Sequence, residues 1–363
     1  SSSPSWILFA KLMNQPVAIK VTAKPHFENV SSHFLMIERT IYRDLINPIV
    51  LCGFSPHVLI YYGAVNCDSF FSIPELDAEM IKFKQDLRKK YSTFDTNYIM
   101  ASVVERAIKG QSVSDFLLNA SLSGNLSTDI FAILFQIFYT LKVFSQLGLS
   151  HNDLHGGNVF LVPATSHVRY YQTSDTDFYR VESEWEARIF DFDRGSKVAT
   201  SFDSNEVENH GLTVGRYCEM YGQCNGVNER AEIYPLLATF NSFLQRSSPE
   251  INSMIDEIAP RELLERNYKG QMIESSDYPV AYPVIPGHTL AFNGRLCTCN
   301  SQECSTCTVL NDPRIKTLDE IFKIDAFASL KVDKNSIPHE EFIWRLPSVA
   351  SEAAERNWQE LHA

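Results

Sequence analysis

The sequence lacks any apolar run long enough to cross a bilayer. Its most hydrophobic stretch, Ile130 to Leu141, carries Gln136, whereas a span takes about 20 apolar residues, so this segment reads as a buried helix. Positive charge is also scarce: 32 Lys and Arg stand against 44 Asp and Glu, a formal net charge of −12. A general nucleic-acid or anionic-membrane binder needs a basic face, so direct nucleic-acid binding is not expected. A local basic contact for a nucleotide phosphate stays open. No fixed-period repeat or low-complexity tract occurs, which argues against a solenoid. The opening Ser1-Ser2-Ser3-Pro4 has neither Met nor a basic leader, so the chain reads as a fragment or processed product without a signal peptide.

The eight cysteines do not make a disulfide framework. Cys52, Cys67, Cys218 and Cys224 are scattered, while Cys297, Cys299, Cys304 and Cys307 crowd into one short stretch. A chain of 363 residues has no need of disulfide staples, which points to reduced thiols or a metal site. Cys-x-Cys followed by Cys-x-x-Cys can close a tetrahedral Zn²⁺ shell at about 2.3 Å per sulfur. Four reduced surface thiols are the plainer alternative. Any zinc here would be structural, pinning an insertion onto its lobe.

What the chain does have is core material: 44% hydrophobic and 12% aromatic residues, enough for two domains or one two-lobed unit. Residues 6 to 22 read as two strands around a turn at Met13-Asn14-Gln15-Pro16, the second strand β-branched around Lys20. Phe34 to Ile46 has the spacing of an amphipathic helix. Strands follow at Val58 to Tyr62 and Tyr98 to Glu105, with a charged helix expected over Lys82 to Lys90. From Thr128 the character turns helical: Thr128 to Leu147 is apolar on nearly every face, as at a domain centre. The expected class is α+β, a small β-rich N-lobe (1–106) leading a larger helical C-lobe (107–335) and a tail (336–363). Insertions are expected near 163–186, as a polar hairpin, and near 268–312.

The sharpest motif is His151-Asn152-Asp153-Leu154-His155-Gly156-Gly157-Asn158. Phosphoryl transfer needs a carboxylate to orient an attacking hydroxyl and an oxygen ligand nearby for Mg²⁺. His-x-Asp-Leu-x-x-x-x-Asn supplies both from one loop, Asp153 as base and Asn158 as metal ligand. The pattern resembles the catalytic loop of protein kinases, and three further pieces follow the order of that family. Val17-Ala18-Ile19-Lys20 matches its Val-Ala-Ile-Lys strand, Glu38 lies on the next helix, and Asp191-Phe192-Asp193 ends a strand where Asp-Phe-Gly is usual.

The resemblance covers about Trp6 to Leu330. It implies a two-lobed protein-kinase-like fold using ATP and Mg²⁺. Lys20 would contact the ATP phosphates with Glu38 as its ion-pair partner, and Asn158 and Asp191 would hold the metal. Val104 would be the gatekeeper, and Glu105 and Ala107 would meet the adenine edge. His155, where Ser/Thr kinases typically carry Lys, is similar to haspin-like kinases and to many small-molecule phosphotransferases. The runs Phe135 to Phe160 and Ala187 to Arg194 resemble kinases encoded by large DNA viruses.

Departures from the family pattern are plain. No glycine-rich phosphate loop precedes the first strand, so Ser3 and Ser5 are left to offer backbone N–H groups to phosphate, without glycine's freedom at positive φ. Asp193 replaces a glycine, and no Ala-Pro-Glu follows. Glu232 stands where an aspartate usually anchors the catalytic loop.

These observations lead to an expected protein Ser/Thr kinase acting on a protein substrate. A small-molecule phosphotransferase and a pseudokinase serving as a binding or virion-structural module are the competitors. The expected location is intracellular and cytoplasmic, with packaging in a virion left open. The proline-rich Tyr278 to Pro286 and the amphipathic tail from His339 to Ala363 are the candidate partner-binding segments. The tail could dock at home or on another subunit.

Overall fold

The computed structural model describes residues 5–25, 34–67, 94–123, 129–192, 195–197, 229–244, 249–261 and 313–362, with isolated positions at 78–86, 200, 227 and 264. The architecture is α+β, with a β-rich N-terminal lobe and a larger, mainly helical C-terminal lobe. The first lobe is an antiparallel sheet of β1 (Ser5–Leu12), β2 (Gln15–Pro25), β3 (Tyr61–Cys67) and β4 (Phe94–Glu105), in the order β1-β2-β4-β3. Met13 and Asn14 join β1 to β2 with φ of 48° and 69°, the pair of left-handed residues that a tight two-residue hairpin requires. The register sets Lys20 opposite Ile7 on one side and Ser102 on the other. Lys20 is thus carried by a strand paired on both edges, which fixes its backbone.

The amphipathic segment after β2 is helical but not uniform. It runs as α1 (Phe34–Ile41), a π-helical turn (Tyr42–Ile46) and α2 (Asn47–Leu51). Pro48 gives the widening a chemical reason, since it has no N–H to offer the Asp44 carbonyl four residues back. That carbonyl accepts from His362 Nε2 at 2.5 Å instead. Asn47 ties the same region to β3: its Oδ1 accepts the Tyr61 N–H at 2.9 Å and its Nδ2 donates to the Tyr61 carbonyl at 2.6 Å.

The second lobe opens with β5 (Gln111–Ser112) and α3 (Val113–Ser123), then α4 (Asp129–Gln146). Almost every residue of α4 from Ile130 to Phe144 is buried, which is why its sequence is apolar on all faces. Next come β6 (Leu149–Ser150), β7 (Val159–Pro163), β8 (Val168–Gln172), β9 (Phe178–Glu182), β10 (Trp185–Ile189) and β11 (Ser196–Lys197). Helices α5 (Glu229–Leu244), α6 (Pro249–Ile258), α7 (Leu318–Ile321) and α8 (Asp325–Ala328) follow, then β12 (Lys331–Val332), β13 (Ile343–Arg345) and α9 (Glu352–Leu361).

The hairpin expected at 163–186 is β8–β9, and it is not polar throughout. Tyr171, Phe178, Tyr179 and Val181 are buried. The hairpin packs on α4 through Phe135, whose ring centroid lies 5.3 Å from Tyr171 and 5.0 Å from Tyr179. It recruits the far end of the chain into a sheet of order β12-β9-β8-β13, with β13 parallel to β8. Beyond β13 the tail returns to its own N-terminal lobe, where Trp358 of α9 packs on Phe54 at 5.6 Å. No helix among the described residues is long and apolar enough to cross a membrane.

Candidate active site

Lys20 stands between two carboxylates. Its Nζ lies 3.0 Å from both oxygens of Glu38 and 2.7 Å from Asp191 Oδ1. The three groups come from β2, α1 and the segment after β10, and their side chains are only 13%, 6% and 16% exposed. Burial pushes the Asp191 carboxyl upward, but the Lys20 ammonium outweighs it and holds the group below the ordinary aspartate range. Asp191 is therefore an anion at neutral pH. Its backbone is in the left-handed region, φ 68°, a conformation that costs a non-glycine residue energy and persists where surroundings over-determine it.

The catalytic-loop residues are fixed by their own hydrogen bonds. Asn158 Nδ2 donates to the Asp153 carbonyl at 2.9 Å, which leaves the Asn158 amide oxygen as its acceptor. The Asp153 N–H donates to His151 Nδ1 at 3.3 Å, while His151 Nε2 faces the Phe190 carbonyl at 2.8 Å. One neutral tautomer, protonated on Nε2, satisfies both contacts. His151 thereby joins the loop to the strand end that leads into Asp191. His155 is held differently: its Nδ1 accepts the Gly157 N–H at 3.0 Å. A Cβ at Gly157 would come within 2.8 Å of that ring, so a larger residue there would push the imidazole from its place.

Two further groups complete the scaffold. Phe192 is fully buried and meets Tyr42 edge-on at 5.3 Å, His151 at 4.8 Å and Phe144 at 5.7 Å. Glu232 on α5 accepts the Asn152 N–H at 2.9 Å, the loop-anchoring place anticipated for it. At Gly195, three residues after Phe192, a Cβ would crowd the Ile41 Cδ1 methyl and lie 3.1 Å from the Phe192 carbonyl oxygen; Asp193 lies outside the described residues.

The chemistry of the donors fits Mg²⁺. The ion prefers oxygen ligands and commonly takes one or two protein groups, completing its shell with phosphate and water. The Asp191 carboxylate and the Asn158 amide oxygen are such ligands. The zinc expectation has no such support: Cys297, Cys299, Cys304 and Cys307 lie outside the described residues, as does Tyr278 to Pro286. Among the described residues, no group of three or more His, Cys, Asp or Glu could hold a metal.

The nucleotide-edge residues are only partly free to serve. Val104 lies opposite Ala18 and packs against the core. The Glu105 N–H is committed to the Ile60 carbonyl at 2.7 Å, and Glu105 Oε2 accepts the Ile60 N–H at 3.3 Å. The Ala107 carbonyl accepts from Gly110 at 3.3 Å, and the Ala107 N–H has no partner among the described residues. Ser5 opens β1 opposite Thr22, a strand position and not a loop, because the residues after it extend the sheet. Ser3 lies outside the described residues.

Sequence comparison adds no family: no family model matches the chain, and no curated protein matches it. Solved structures do match. Among 722 matching chains is one described as WaaP in complex with acyl carrier protein, at 10% identity and a TM-score of 0.35, covering 72% of this chain and 83% of that one. At that score the backbone likeness carries no functional weight, and the reading of the site rests on its residues.

Glu232 gives the site a pH signature. Burial raises its carboxyl to about 7, against the opposing pull of the Asn152 and His151 backbone N–H groups. The folded chain therefore keeps a proton that the unfolded chain releases near its ordinary value of 4.5. Stability from this group is full below that value, is lost as pH rises to about 7, and then levels off, a change on the order of 3 kcal/mol. Urea unfolding between pH 4 and 8 should show this decline in the wild type. Glu232→Gln, which keeps an acceptor for Asn152 without a titrating proton, should flatten it.

Proposed function

We propose that the chain is an ATP- and Mg²⁺-dependent phosphotransferase of the protein-kinase type, moving the γ-phosphoryl group of ATP to a Ser or Thr hydroxyl of a protein. The observation that carries the reading is Lys20 held between Glu38 and Asp191, residues far apart in sequence that phosphoryl transfer requires in one place. In this reading Lys20 contacts the ATP phosphates, and Glu38 keeps its ammonium pointed at them. Asp191 and Asn158 would hold Mg²⁺, which when bound offsets the charge of the phosphate oxygens. Asp153 orients the acceptor hydroxyl and takes its proton, while His151 and Glu232 keep the loop backbone in place. The hydroxyl oxygen forms the new bond to phosphorus as the bond to the ADP oxygen breaks.

A pseudokinase is disfavoured because the lysine, the base and the metal carboxylate are all retained. The likeness to haspin-like and viral kinases rests on sequence motifs alone, His155 foremost.

The test is incubation of the purified chain with γ-labelled ATP and Mg²⁺, offering basic and acidic proteins and, separately, aminoglycoside-type alcohols. Label on protein Ser or Thr, lost in Asp191→Asn, is the expected result. Label only on a small alcohol would replace the protein acceptor with a metabolite. Neither transfer nor ATP binding would overturn the reading.

A further inference from the structure

We propose that Tyr42 is a positioning residue for the metal-binding carboxylate, its hydroxyl locking the Asp191 backbone to the helix that carries Glu38. The inference rests on the phosphotransferase reading of the site. Tyr42 comes four residues after Glu38, one helical turn along the same face, and begins the π-helical turn. Its hydroxyl accepts the Asp191 N–H at 3.2 Å. Asp191 is thus gripped twice, by Lys20 at its carboxylate (2.7 Å) and by Tyr42 at its backbone. Both grips trace back to one helix, because Lys20 is itself bound to Glu38.

The ring that carries the hydroxyl is immobile. Tyr42 is 4% exposed, stacked on Tyr61 at 5.7 Å with 17° between the planes, and met edge-on by Phe192 at 5.3 Å. A phenylalanine would fill those ring contacts equally well. The added hydroxyl is a polar atom taken out of water, which costs free energy unless it is bonded. Burial first, and then the Glu38 charge, push its pKa well above the ordinary tyrosine value, so it serves as a neutral acceptor. Its bond goes to a residue whose backbone is in the left-handed region and whose side chain would face the metal. If Asp191 relaxes from φ 68°, its carboxylate swings with it.

The test compares wild type, Tyr42→Phe and Tyr61→Phe. The last removes a hydroxyl from the same stack without touching Asp191. Two readouts are independent of turnover: Mn²⁺ affinity of the protein–ADP complex by electron paramagnetic resonance, and hydrogen exchange at the Asp191 amide without metal or nucleotide. Tyr42→Phe is expected to weaken Mn²⁺ about tenfold, the worth of one such bond, and to speed Asp191 exchange. Its turnover should fall at low Mg²⁺ and recover at high Mg²⁺, with KM for ATP little changed at saturating metal. Tyr61→Phe should match the wild type in Mn²⁺ affinity and exchange. Unchanged Mn²⁺ affinity in Tyr42→Phe, whatever its melting temperature, would overturn the proposal and leave the phosphotransferase reading standing. A wild type that binds no Mn²⁺ with ADP would overturn both.

Discussion

Asp153→Asn is expected to reduce phosphoryl transfer by about a hundredfold to ten-thousandfold with ATP binding and melting temperature nearly unchanged. The asymmetry follows from how the residue is held. Two of the contacts that place Asp153 run through its backbone: its N–H donates to His151 Nδ1 and its carbonyl accepts Asn158 Nδ2. Asparagine leaves both bonds in place and matches the carboxylate in size, so the loop should keep its shape. What disappears is the negative charge that, in the proposed reaction, would accept a proton from the attacking hydroxyl. The Lys20–Glu38–Asp191 group, which meets ATP and metal in the proposed function, is separate from that change. Transfer of label from ATP, measured beside nucleotide-dependent thermal shift, separates the two effects. Loss of transfer together with loss of ATP binding would mean that Asp153 supports the fold of the site and is not its base.

The meeting of Lys20 with Glu38 and Asp191 was legible in the sequence, because each falls in an element whose pattern is strong: an apolar strand, an amphipathic helix, a strand end. Tyr42 was not legible. A tyrosine one turn after a glutamate on a helix with an apolar face looks like ordinary core, and only the fold brings its hydroxyl to Asp191. The inner face of β8–β9 was hidden by its polar neighbours, since the exposed Arg180 and Glu182 alternate with the buried Tyr179 and Val181 along β9. The π-helical turn was hidden as well. Pro48 announces a break, but the partner that satisfies the Asp44 carbonyl, His362, lies at the other end of the chain. Long-range pairings of this kind leave no local trace in sequence. Register matters for the same reason: Ser5 reads as a loop serine until pairing with Thr22 makes it part of a strand.

Phe135→Ala should be the most damaging single substitution to the fold outside the site, costing about 3–5 kcal/mol. The ring is fully buried on α4 and, besides Tyr139 one turn along, meets four rings from other elements: Tyr171 and Tyr179 of the hairpin, Phe322 at 5.5 Å and Phe327 at 5.6 Å. These neighbours come from the hairpin and from the distant stretch around Phe322 and Phe327, so no single element can collapse into the space left behind. Transfer of the lost apolar surface to water and the cavity itself then both count. The midpoint of urea unfolding for Phe135→Ala should fall well below the wild type. Phe135→Leu, which keeps part of the volume, should fall between the two. Leu122→Ala is the contrast. Leu122 is 79% exposed, and its loss should stay within about 0.5 kcal/mol. An equal shift in Phe135→Ala and Leu122→Ala would mean that β8–β9 is not packed on α4 as described. The damage should also reach the tail, because β13 pairs with β8 and leads directly to the helix that holds Trp358 on Phe54. Proteolysis of Phe135→Ala under native conditions is therefore expected to cut first between β13 and α9, before the N-terminal sheet is attacked.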